Sequence, residues 1–174
     1  MLHEVSGDIL LSRAAVLAHG VAPGDDWKAG LNRALRERFP AMVTDFRHHC
    51  HAVHPEPGTL WTWSGAGPLG PVRIANLLTQ DPPARPGDHP GKARLEHVHH
   101  ALKALRAWAA AEKVPSLAIT RIATGVGGLT WDDVRPLVVK HLGSLEVPVY
   151  VYVQFVAGVQ ANEPGLTAPA RAAK

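Results

Sequence analysis

Apolar runs and amphipathic stretches alternate along most of this chain. The runs at 9–11, 16–21, 59–63, 72–78, 117–122 and 147–155 are short and rich in Val, Ile and Leu. Short continuous runs of this kind read as buried strands. Between them the period changes. In 28–38, Leu31, Ala34 and Leu35 share one face with Phe39; in 92–113, Leu95, Val98, Leu102, Leu105 and Ala109 follow i, i+3/i+4 spacing. Both patterns predict helices with one buried stripe. A third helix is predicted over 130–142, where Thr130 and Asp133 form a capping box with a short acidic partner. Pro136 inside it should distort its first turns. Strands alternating with helices predict a layered α/β domain with a parallel or mixed sheet. The pattern covers 1–156. The remainder, 157–174, ends in the Ala/Pro-rich "EPGLTAPARAAK" and is predicted to be a flexible tail.

Composition narrows the picture. With 174 residues, 46% hydrophobic and 19% charged, the chain suits one domain with a sizeable core. It has no uninterrupted apolar run of about 18 residues, so no membrane span is expected. Its opening, "MLHEVSGDILLS", lacks the basic flank and long apolar stretch of a signal peptide. A single cysteine, Cys50, excludes an internal disulfide and points to a reducing cytoplasm. The net charge of +3 comes from scattered Arg and Lys. There is no basic stripe, so direct nucleic-acid binding is not expected.

The sharpest chemical signal is "LAITRIATGVGGLTWDDV". An apolar run flows into Ala123, Thr124, Gly125, Val126, Gly127 and Gly128, and a helix start follows. Glycines let backbone approach a ligand closely, and free N–H groups beside a helix N-terminus favour an anion such as phosphate. The alternative is a tight turn needing φ > 0, which one glycine would satisfy. The spacing matches neither a Walker A loop nor GxGxxG. "AHGVAPGDDWKAGLNRAL" is a second junction of the same kind, with Gly20, Gly24 and Gly30 between strand and helix. Two such junctions facing each other at the strand ends would suit a diphosphate. Solvated Asp25 and Asp26 on a surface loop are the plainer reading. Asp8, in "SGDILL", could accept from an exocyclic amine, although a Gly-Asp pair is usually a turn.

"FRHHCHAVH" brings together His48, His49, Cys50, His51 and His54, and His97, His99 and His100 follow later. Zinc needs about four converging ligands, and the recognised spacings are absent, so no metal site is predicted. Cys50 reads as a buried thiol, because a nucleophile needs its base poised in space. No G-x-S-x-G elbow is present. Trp61 and Trp63 alternate onto one strand face and read as packing.

Taken together, "VSGDILL", "VLAHGVAPGDDWKAGLNRALRERFP", "VRIANLLTQ" and "LAITRIATGVGGLTWDDVRPLV" resemble the macrodomain family in order and spacing over nearly all of 4–155. The "LAH" is similar to the branch that includes terminal ADP-ribose glycohydrolases and the antitoxin macrodomains that strip ADP-ribose from DNA. The resemblance implies a three-layer α/β/α macrodomain with a mixed central sheet and an ADP-ribose cleft. It implies no cofactor, and ADP-ribose or an ADP-ribosylated macromolecule as partner. Asp8 would bind the adenine amine with Ile9 beside it. The stretch Asp26, Trp27, Lys28, Ala29 and Gly30 would wrap one phosphate and the distal ribose, and His19 and Gly20 would also touch ligand. Thr124 to Gly128, after Ala123, would cradle the diphosphate, aided by the N-terminal field of helix 130–142. Gln80 would line the site and Phe155 would stack near adenine.

Two departures stand out. Hydrolases of the branch use a lysine where this chain has Gln80, and some carry an aspartate where it has Gly127. Glutamine can neither form a Schiff-base adduct nor act as a general base. The expected activity is therefore hydrolysis by water held between ligand phosphate and loop backbone, with Asp25 or Asp26 orienting the water. A non-catalytic reader of ADP-ribose is the alternative.

Overall fold

The structure, a computed structural model, describes residues 1–68 and 70–166. Its elements run β1 (Leu2–Gly7), β2 (Val16–Val21), α1 (Gly30–Arg38), α2 (Pro40–Val53), β3 (Leu60–Gly67), β4 (Gly70–Leu78), α3 (Leu95–Ala111), β5 (Leu117–Thr120), α4 (Trp131–Leu142) and β6 (Val149–Phe155). One sheet holds all the strands in the order β1-β6-β5-β2-β4-β3. β1, β6, β5, β2 and β4 are mutually parallel, and β3 runs antiparallel on β4. This is the three-layer α/β/α arrangement with a mixed sheet.

The continuous apolar runs hide a strict two-residue alternation, because both sheet faces are covered. In β2, Val16 and Ala18 enter the core under α3 and α4, whereas Leu17 and Val21 enter the core under α1 and α2. In β6, Val149 and Val151 go to the first core and Tyr150 and Tyr152 to the second. α3 buries Val98, Leu102, Leu105 and Ala109, the predicted stripe. Trp61 packs on Phe46 and Trp63 on Phe39, with ring centroids 5.4 and 5.8 Å apart.

Three expectations need correction. The run 9–11 is a single 3-10 turn, not a strand, because the Asp8 carboxylate caps it by accepting from the Leu10 N–H. The first strand is Leu2–Gly7, whose polar outer positions hide its period. A further helix, α2, carries the histidines at 48–51 and starts with Pro40 at its first position, where a missing N–H costs nothing. Finally, residues 157–166 are no loose tail. Ala161 and Glu163 are buried, and Leu166 packs on the α1/α2 core. Residues 167–174 of that expected tail lie outside the described residues. α4 runs unbroken from Trp131 to Leu142 with Pro136 inside it.

Candidate functional site

Parallel strands present all their carboxyl ends on one edge of the sheet, which is where open α/β sheets bind ligands. Here a cavity of about 590 Å³ opens along that edge. Its wall takes Asp8 after β1, Phe155 from β6, Thr120 to Gly127 after β5, His19 and Gly20 from β2, and Gln80 after β4. β1 and β4 lie four strand spacings apart in the sheet. At about 4.8 Å each, the cavity spans about 19 Å from Asp8 to Gln80. It fits a long, thin ligand.

Backbone donors dominate the middle of the wall. The N–H groups of Ala123, Thr124, Gly125, Val126 and Gly127 find no acceptor among the described residues, and all five residues line the cavity. The glycines of this loop serve three different needs. Gly128 holds φ +77, a left-handed conformation that costs glycine little. Gly127 has no room: a Cβ would lie 2.6 Å from the Ala123 carbonyl oxygen and 2.8 Å from the Ala93 Cβ. Gly125 has open space around its Cβ position, so its surface is free for a ligand. The loop is closed by Leu129 N–H donating to Ala123 O (3.0 Å) and by Ala93 N–H donating to Gly127 O (2.9 Å).

The helix that adds its N-terminus to the cavity is α1, not α4. Ala29, Gly30, Leu31 and Asn32 line the wall, no side chain caps this helix start, and the N–H groups of Gly30, Leu31 and Asn32 find no acceptor among the described residues. An anion is favoured there by the unpaired donors and the helix dipole. The α4 start does not reach the wall. Thr130 caps it by accepting from Asp133 N–H, and its first turn carries Asp132 and Asp133, whose charges oppose an anion. Arg121 lines the cavity from the strand side and supplies a cation.

The two polar clusters near the wall are tied up in the fold. The buried Asp25 carboxylate accepts from Ala22 N–H (3.1 Å), Trp27 N–H (2.8 Å) and Asn32 Nδ2 (3.3 Å). Burial pushes its pKa up, against these donors. Asp26 accepts from Lys28 N–H and lies 2.8 Å from His89 Nδ1. Neither aspartate, expected to orient a water, lines the cavity; both carboxylates are bonded within the loop that they shape. His19 does line it, but Asn32 occupies its Nδ1 (3.0 Å) and Asn76 its Nε2 (2.6 Å). Burial lowers its pKa, against the two amide oxygens that favour the protonated ring, and both ring nitrogens lie against protein groups rather than free in the cavity.

Of the residues expected to touch ligand, Asp8, Ile9, His19, Gly20, Ala29, Gly30, Gln80, Ala123 to Gly127 and Phe155 line the cavity. Trp27, Lys28 and Gly128 do not: Trp27 is fully buried, with its ring on Phe46. Phe155 is 71% exposed at the cavity rim, an unusual place for a bare aromatic. Gln80 donates from Nε2 to Gly91 O (3.0 Å), which leaves its amide oxygen as an acceptor. Sequence reasoning missed Asn32, Arg121 and Tyr152. The signal for Asn32 was present, a polar residue on the third position of a helix that begins at a glycine.

The histidines form no such site. Among the described residues, no group of three or more His, Cys, Asp or Glu is placed to hold a metal ion. His49 stacks on Trp61, His97 faces Asp81, and His99 pairs with His141 at 2.9 Å. Cys50 is half-buried rather than buried, and desolvation raises its thiol pKa. No described helix is long and apolar enough to cross a membrane.

No protein-family model matches the chain. Among curated proteins it is 28% identical over 153 residues to a DNA ADP-ribosyl glycohydrolase of Thermus aquaticus, covering 87% of this chain and 41% of the relative. It spans about two fifths of the length of the curated relatives that it matches. The solved macrodomain of Thermus aquaticus DarG superposes with a TM-score of 0.74 at 26% identity, covering 88% of this chain and 98% of that one. Thermosipho africanus DarTG, solved in complex with ADP-ribose, gives 0.76 at 21% identity over 91% of this chain and 42% of its own. The chain is a macrodomain by fold, and its likeness lies with the DarG branch of that class.

Two predictions come from this geometry. Gly127→Ala forces its neighbours apart and lowers unfolding free energy by about 1–3 kcal/mol. Gly125→Ala, which meets nothing, stays within about 0.5 kcal/mol of the parent. Denaturant titration of both variants checks the contrast. The second concerns pH. His19 and His141 both have folded pKa values below the ordinary 6.5. Below that pH the unfolded chain binds more protons than the folded one. Stability is therefore full above about pH 6.5 and falls as the pH drops below it, down to the lowered folded values. Melting curves across this range should show the fall, with a shallower slope in His141→Gln.

Proposed function

We propose that this chain binds ADP-ribose along the cavity and releases it from an ADP-ribosylated macromolecule. The observation that carries the reading is the pair of donor sets, 123–127 and the α1 start, in the middle of a cavity about 19 Å long. A diphosphate takes those N–H groups, with Arg121 beside it. The adenine amine donates to the Asp8 carboxylate at one end, and the base stacks on exposed Phe155. The distal ribose then lies towards Gly20 and Gln80, whose amide oxygen accepts a hydroxyl. The solved relative in complex with ADP-ribose and the relatives named as DNA ADP-ribosyl glycohydrolases support both halves of the proposal.

Hydrolysis proceeds by attack of water on the anomeric carbon. The bond to the carrier breaks with its electron pair, and the proton of the water passes to the departing group. The water is held between the ligand phosphate and the loop N–H groups, which also stabilise developing charge. Lysine chemistry is absent because Gln80 stands at that position. An acid at 127 is disfavoured by space, since even a Cβ there presses on the Ala123 carbonyl and the Ala93 methyl.

One observation favours a second reading, a reader without turnover. The wall groups that could act as acid or base are engaged elsewhere: His19 by two amides, the Tyr152 hydroxyl by Glu163, and Asp8 at the far end by backbone. The test separates the readings. Calorimetry with ADP-ribose should show binding, weakened about tenfold in Phe155→Ala by loss of base stacking. The protein is then incubated with mono-ADP-ribosylated protein and with ADP-ribosylated DNA. Release above an enzyme-free control from either carrier establishes the hydrolase and its substrate class. Binding with release at background establishes the reader, and no binding overturns both.

A further inference from the structure

Glu163 lies beyond Phe155, the last residue of the chain that lines the cavity, and is 2% exposed and fully engaged. Its Oε1 accepts from the Ser12 hydroxyl and from the Tyr152 hydroxyl (2.7 Å), and its Oε2 accepts from the Arg13 N–H (2.9 Å). A buried carboxylate with three donors stabilises only if the geometry holds, and losing it leaves those donors stranded. Tyr152 lines the cavity, so one end of this cluster is the wall itself. Next door, the Tyr150 hydroxyl donates to the Pro164 carbonyl.

The segment that Glu163 anchors runs directly behind Asp8. Val156 N–H donates to Gly7 O (3.1 Å), Asp8 N–H donates to Val159 O (2.7 Å), and the Gln160 amide donates to Leu11 O (3.1 Å). Gly158 N–H donates to Asp8 Oδ2 at 3.1 Å, while Leu10 N–H donates to Oδ1 at 3.0 Å. The two backbone donors fix the plane of the Asp8 carboxylate and leave one lone pair on each oxygen. Gly7 has no space for a side chain, because a Cβ would meet Ala161 N and Val159 O at 2.8 Å. The fit is close over the whole stretch.

We propose that Glu163 is a positioning residue for the base-selective end of the cavity: it latches 156–166 across the first strand, so that Gly158 N–H aims the Asp8 carboxylate and the Tyr152 ring keeps its place in the wall. The latch stands on the structure alone. Its consequence for a base rests on the ADP-ribose reading above. A carboxylate held in one plane discriminates between a base that offers an amine and one that offers a carbonyl oxygen. A carboxylate free to turn does not.

The experiment compares the parent, Glu163→Ala and Glu163→Gln in two measurements. Amide exchange reads the latch: protection at Asp8 and Gly158 should drop at least tenfold in Glu163→Ala and less in Glu163→Gln, which keeps one acceptor. Calorimetry reads selectivity as the ratio of Kd for inosine diphosphate ribose to Kd for ADP-ribose. The parent ratio should be about tenfold or more, and it should collapse towards one in Glu163→Ala with Glu163→Gln between. A merely structural role would weaken both ligands equally and leave the ratio unchanged, which overturns the proposal. So does unchanged protection at Gly158. If Glu163→Ala does not fold, Glu163→Gln alone decides by the same two readouts. If the parent binds neither ligand, the ADP-ribose reading fails, and the exchange data still decide the latch.

Discussion

The site depends on one steric constraint, the absence of any room at Gly127. A Cβ there would run into the Ala123 carbonyl and the Ala93 methyl, and the Gly127 carbonyl receives the Ala93 N–H. This contact folds the loop after β5 back onto the segment that leads into α3. Once folded back, the loop spends only its outer N–H groups, Gly128 and Leu129, on its own closure. The five before them find no acceptor among the described residues and line the cavity. Unpaired donors at a protein surface are satisfied by water, and an anion displaces that water at a gain. The same packing that makes the donor row also disfavours an acidic side chain at 127. Binding capacity and the missing acid have one physical cause.

The segment 81–94 extends this constraint to the first ligand loop. Asp81 is its knot: its backbone pairs with Lys92 and Gly91, and its carboxylate pairs with Arg94 and His97. The guanidinium of Arg94 holds that carboxyl below its usual pKa. From this base the segment reaches Asp26 through His89, and Gly127 through Ala93. Its contribution as surface ion pairs is small. Its geometric effect is larger, because both donor sets are referred to one short, proline-rich span.

Much of this was legible in the sequence because it rests on local patterns. Apolar runs marked β2, β4, β5 and β6, and the 3.6-residue stripe marked α3. Other features depend on partners distant in the chain. Asp25 and Asp26 look like exposed loop acids until the N–H groups of Ala22 and Trp27 are placed on one of them. Ile9–Leu11 has the composition of a strand, and only the side chain of Asp8 turns it into a 3-10 turn. Nothing in an Ala/Pro-rich stretch announces that Glu163 meets Ser12, Arg13 and Tyr152, since the contacts bridge opposite ends of the described chain. α4 carries a recognisable cap, yet its start lies off the wall, whereas uncapped α1 opens onto it. A helix without a cap was the better pointer, because its donors stay free.

In the proposed binding mode, the backbone donors at 123–127 and the α1 start jointly hold a diphosphate. A crystal structure of this chain with ADP-ribose bound tests it most directly. Phosphate oxygens are expected within hydrogen-bond distance of N–H groups from both sets, with the base between Asp8 and Phe155 and the distal ribose beside Gln80. A ligand bound in the reverse direction, or with its phosphates on side chains outside the two donor sets, would contradict it.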